Sequence, residues 1–132
     1  MSVISAVLVR AIVLGAGIGV YTWLAPRLMP DDDGLGAGLL AFALIIVVTA
    51  VWGLVDGRRR EFGRVAVIWL VTGVLVAVGW SIGLAVNGAD SSMSIPELML
   101  ADVALLPFTF GLVAAPALVG GAIGQAFAGR RR

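Results

Sequence analysis

Apolar residues fall into four long stretches separated by short polar clusters. They run roughly over 11–29, 35–55, 65–86 and 102–128, from "AIVLGAGIGVYTWLAPRLM" to "DVALLPFTFGLVAAPALVGGAIGQAFA". Each is close to the ~20 residues that a helix needs to cross a bilayer. None carries a polar face at helical period through its middle turns, the mark of a helix surrounded by lipid. The pattern predicts an all-α membrane protein. A single integral domain over 1–132 forms a four-helix antiparallel transmembrane bundle with short loops.

The punctuation supports this division. "PDDDG" separates the first two stretches, "DGRRREFG" the second and third, and "NGADSSMSIPE" the third and fourth. Ser94-Ile95-Pro96-Glu97 has the spacing of a capping box with proline in the first turn. A helix starting there would run some thirty residues, longer than a ~30 Å hydrocarbon core at 1.5 Å per residue. Pro107 and Pro116 each remove a helical hydrogen bond, which predicts a bend. Residues Met1 to Val9 extend the first helix or lie along the interface. The apolar start before Arg10, with no A-x-A-like site after it, reads as a retained span rather than a cleaved leader.

Charge orients the bundle. With the arginine-rich loop in the cytoplasm, Arg10, Arg58, Arg59, Arg60, Arg64, Arg130, Arg131 and Arg132 share one side. Arg27 stands opposite with Asp31, Asp32, Asp33, Asp90 and Glu97. The positive-inside rule then predicts both termini in the cytoplasm. Every basic residue is arginine, and Ala, Gly and Val abound, as in proteins from GC-rich bacterial genes. The expected location is therefore the bacterial cytoplasmic (inner) membrane, as a multi-pass protein. The chain is 61% hydrophobic and 13% charged. Soluble domains average about 25% charged, so lipid is the expected covering. A net charge of +1 gives no footprint for nucleic acid. Arg58–Arg60, Arg64 and Arg130–Arg132 form a surface suited to anionic lipid head groups or to a partner's acidic groups.

Candidate chemistry is sparse. The chain has no Cys, no His and no Lys, which removes thiolate nucleophiles, the usual zinc, haem and copper ligands, and a base for a serine nucleophile. Asp56-Gly57 followed by arginines matches two positions of the D-G-x-x-A-R signature of CDP-alcohol phosphotransferases. Arg60 stands where its alanine belongs, and the third span supplies none of the aspartates that would hold a metal. Charges are expected only at span edges, with Arg10 and Asp102 at opposite edges and unpaired with each other. The four tryptophans, toward span ends, read as interfacial anchors. No catalytic residue, cofactor or metal is assigned, and an enzyme is the weakest class.

Glycine supplies the repeated feature. Gly15/Gly19, Gly34/Gly38, Gly53/Gly57, Gly79/Gly83 and Gly120/Gly124 are all G-x-x-x-G pairs, a spacing that lets helix backbones approach closely. The expected helix-packing residues are Gly15, Gly19, Gly79, Gly83, Gly120 and Gly124. The function expected is that of a small non-catalytic membrane protein acting by helix packing. It would be an accessory subunit of a larger assembly or a homo-oligomer, with the bilayer, another membrane protein or itself as partner. The rival expectation is a homo-oligomeric transporter or channel for a small solute or ion. A membrane-permeabilising protein is a third.

Overall fold

A computed structural model describes residues 2–31, 34–87 and 94–129, and these are helical almost throughout. The helices are α1 (Val3–Leu28), α2 (Leu35–Arg59), α3 (Phe62–Asn87), α4 (Ile95–Asp102) and α5 (Leu106–Gly129). One 3₁₀ turn, Val103–Leu105, joins α4 to α5. α1, α2, α3 and the segment Val103–Gly129 are each long and apolar enough to cross a membrane. Many of their exposed residues are large and apolar, among them Ile12, Leu39, Val74 and Phe108. Such a surface suits hydrocarbon, and the four helices together suggest a multi-pass membrane protein.

Local signals set the helix ends. The Ser2 hydroxyl caps α1 by accepting the Ser5 N–H at 3.2 Å. Gly34 enters α2 at φ +91°, a left-handed conformation that side chains disfavour. α2 and α3 meet across Arg60 and Glu61, with Arg60 extended. Helices α1 to α3 run past the span limits read from the sequence, so Arg10 and Asp56 lie inside helices rather than at their edges. The fourth span departs more. The Pro107 ring would crowd the Val103 carbonyl in a continuous helix. The chain instead breaks into the 3₁₀ turn, and Pro107 becomes the second residue of α5, where no intrahelical bond is lost. Pro116 lies within α5.

α4 begins with the capping box. Glu97 Oε2 accepts the Ser94 N–H at 2.8 Å and the Ser94 hydroxyl at 2.7 Å. The hydroxyl and then the backbone bond hold the Glu97 carboxyl below its ordinary range. Because the folded value is lowered, the cap is fully present above the usual glutamate value of about 4.3. It is lost as pH falls through the lower folded value. A carboxyl titration followed by NMR should place Glu97 below an ordinary glutamate, and Ser94→Ala should raise its midpoint. Equal midpoints in the two chains would exclude the cap.

The core is built on α2 and α5, the closest-packed pair. Gly53 and Gly57 lie against the backbones of Ala117 and Gly121. Gly120 and Gly124 lie against those of Ala50 and Leu54. Glycines thus interlock from both helices, and two main chains meet where side chains would hold them apart. α3 covers α5 with Val65, Trp69 and Val76, which cluster with Val113, Ala117 and Leu14 of α1. α1 in turn packs on α3, with Ala6 and Val7 around Ile68. The packing order is therefore α2, α5, α3, α1. Although α1 and α2 are joined by a short linker, they touch little.

Candidate functional site

Where α1 and α2 meet near the start of α1, the contact is ionic. Ala6, Val7, Arg10 and Leu14 recur at intervals of three and four, so they share the buried face of α1. Thr49, Gly53, Asp56 and Gly57 do the same on α2. These faces carry Arg10 to Asp56. Arg10 Nη2 lies 2.5 Å from Asp56 Oδ1 and 2.6 Å from Oδ2, and Nε lies 3.1 Å from Oδ2. The Arg10 and Asp56 side chains are only 3% and 8% exposed, so the pair is a buried salt bridge.

The surroundings complete the cage. Arg10 Nη1 donates to the Ala6 carbonyl at 2.7 Å. Trp69 of α3 donates its indole N–H to Asp56 Oδ2 at 3.0 Å. The Arg10 guanidinium carbon lies 5.1 Å from the Trp52 ring centre and 5.6 Å from that of Trp69, within cation–π range. Those two rings meet edge to face at 5.9 Å. A second arginine, Arg60, brings Nε to 4.0 Å from Asp56 Oδ1. Three helices are thus tied at one level by a carboxylate that accepts from α1 and α3. With both oxygens engaged by donors, the arrangement suits a clamp.

The pairing and burial of Arg10 with Asp56 were not expected from the sequence, although both charges do lie near the ends of their helices, at the arginine-rich end of the bundle. Trp69 is corrected, from interfacial anchor to fully buried donor. Each charge falls on the three–four spacing of its own helix's buried face, a face that only the packing identifies. The hydroxyls of the spans are held internally as well. Thr49, Thr72 and Thr109 donate to carbonyls one turn back, at 2.8, 2.7 and 2.9 Å. The Tyr21 hydroxyl donates to the Ala37 carbonyl at 2.6 Å. Among the described residues, no group of three or more acidic side chains is placed to hold a metal ion.

The remaining sequence candidates divide. Arg58, Arg59 and Arg64 are exposed at the same end of the bundle as the clamp, and Arg58 lies over Phe127 at 5.8 Å. Arg60 is half-buried beside Asp56. Arg130, Arg131 and Arg132 lie outside the described residues, as does Asp90. Gly120 and Gly124 sit in the α2–α5 contact, together with Gly53, Gly57 and Gly121. Gly15, Gly19, Gly79 and Gly83 do not join a tight contact. A methyl built on any of them would meet nothing within 4 Å. They line instead a cleft of about 350 Å³ between α1 and α3. A larger apolar cleft, of about 690 Å³, opens between α1 and α2 and is lined by Gly17, Tyr21, Pro26, Gly38, Phe42 and Trp80 among others. Compared with protein-family models, with curated proteins and with solved structures, the chain finds no match.

Proposed function

We propose that this chain is a small non-catalytic integral membrane protein that works by helix packing, as an accessory subunit of a larger membrane assembly or as a homo-oligomer. The observation that carries the reading is the division of labour among its glycines. Gly53, Gly57, Gly120 and Gly124 hold α2 to α5 within the chain. Gly15, Gly19 and Gly79 belong to the α1–α3 side, where the surface is indented and side-chain bulk is missing. In lipid, association rests on shape and close backbone approach, because hydrocarbon already satisfies apolar side chains. An indented small-residue face is the kind of surface that a further helix fits.

The membrane proposed is the bacterial cytoplasmic membrane, with both termini in the cytoplasm. The clamp supports the relative part of that topology, since it brings the start of α1, the end of α2 and the start of α3 to one end with the arginines. The chain has no cysteine, so single replacements report accessibility cleanly. Asp32→Cys and Ser92→Cys should react with an impermeant thiol reagent from outside intact cells, and Gly63→Cys should not. Labelling of Gly63→Cys alone would invert the orientation. Assembly is tested by extraction in mild detergent followed by mass measurement of the protein component. A discrete species heavier than the 13.6 kDa chain is expected. Solute flux in liposomes by that oligomer alone would replace this reading with the homo-oligomeric carrier, and a lone chain at every detergent condition would overturn both.

A further inference from the structure

α1 is divided along its length. Four of its buried residues, Ala6, Val7, Arg10 and Leu14, precede Gly15, and beyond that point only Ala25 is buried. The first half is fixed by the Arg10–Asp56–Trp69 clamp and by Ile68. The second half is flanked by the α1–α2 cleft on one side and the α1–α3 cleft on the other. At the boundary stand Gly15, Gly17 and Gly19, three glycines within five residues. A methyl on any of them would meet nothing within 4 Å, so close packing does not require glycine there. Glycine in a helix interior loosens it relative to alanine, which lowers the cost of bending the helix there.

We propose that the distal half of α1 is a hinged arm. It bends at the Gly15–Gly19 turn, with the buried ion pair as its fixed pivot, and swings across the cleft toward α2. Both clefts border the arm, so it has room to move in either direction. From Gly19 to Leu28 the arm is about 14 Å long at 1.5 Å per residue. A kink of about 20° would carry its tip by about 5 Å, a distance comparable to a side chain. Pro26, which has no N–H, removes one backbone bond within the arm. The Tyr21–Ala37 bond tethers the arm to α2 in the present position. Closing reduces the α1–α2 cleft and opening enlarges it, while the clamp end stays unchanged.

Two pairs of spin labels in lipid nanodiscs test this. Thr22→Cys with Ala41→Cys straddles the α1–α2 cleft beyond the hinge. Val9→Cys with Val55→Cys reports the same two helices near the clamp, at exposed positions. The distal pair should give a distance distribution clearly broader than that of the clamp pair. Converting Gly15, Gly17 and Gly19 together to alanine should narrow the distal distribution to the width of the clamp pair. Each position leaves open space for the added methyl, so the three alanines introduce no clash. A distal pair as narrow as the clamp pair in the glycine chain would overturn the arm. Breadth that survives the three alanines would overturn the hinge.

Discussion

Asp56→Ala should be the most damaging single substitution in the molecule, lowering stability by about 3–5 kcal/mol, the cost of leaving a buried charge without its partner. Arg10 is 3% exposed and its neighbours include Trp52, Trp69 and the Ala6 carbonyl, so the variant would leave a guanidinium buried without a counter-ion at bonding distance. Trp69 would lose the acceptor of its indole N–H in the same step. Thermal unfolding in detergent measures the effect. The double variant Arg10→Met with Asp56→Leu removes both charges and fills the space with hydrocarbon. It should be distinctly more stable than Asp56→Ala, because burying two ions is itself costly. A double variant no better than the single one would show that the two charges are not coupled.

Gly57→Ala should follow, with a loss of about 3 kcal/mol or slightly more, at or above the upper end of the usual overpacking range of about 1–3 kcal/mol. The added methyl would meet the carbonyl carbon of Gly121 at 2.7 Å and its Cα at 2.8 Å. These are main-chain atoms, which have no rotamer to turn away. α2 and α5 must part instead, and the closest helix contact in the bundle loosens along its length. Gly79→Ala provides the contrast, because a methyl there meets nothing within 4 Å. It should be neutral or stabilising by about 0.5–1 kcal/mol, through the better helix propensity of alanine. Unfolding of the two variants side by side decides the matter, and equal losses would remove the α2–α5 interlock.

The helices were legible because lipid imposes a coarse rule, a long run of apolar residues, and four runs satisfy it whatever their partners are. The capping box at Ser94–Glu97 was legible for a local reason, since donor and acceptor are three residues apart. Packing partners were not legible in this way. Five G-x-x-x-G pairs look alike in the sequence, yet only Gly53/Gly57 and Gly120/Gly124 meet main chain. Which stripes face each other depends on rotations of whole helices, and an all-round apolar helix gives no sign of its inward face. The ion pair was missed for a related reason. A charge ends a hydropathic run, so Arg10 and Asp56 were read as limits of spans. Their partners lie 46 residues apart, a distance that no local window covers.

The clamp also bears on how the chain enters the membrane during synthesis. Arg10 is made 46 residues before Asp56, and Trp69 follows 13 residues later. Until α2 has been made and α3 begun, the guanidinium lacks its counter-ion, and in the proposed membrane an unpaired arginine would be disfavoured by up to about 3 kcal/mol on insertion scales. If α1 or α2 were inserted upside down, the two charges would be on opposite sides of the bilayer and neither could be neutralised by the other. Under the proposed topology, the pair would therefore favour the threading that brings both charges to one end of the bundle. In that proposed threading the loop arginines would bias the choice of side, and the Arg10–Asp56 bond would add to the preference for it.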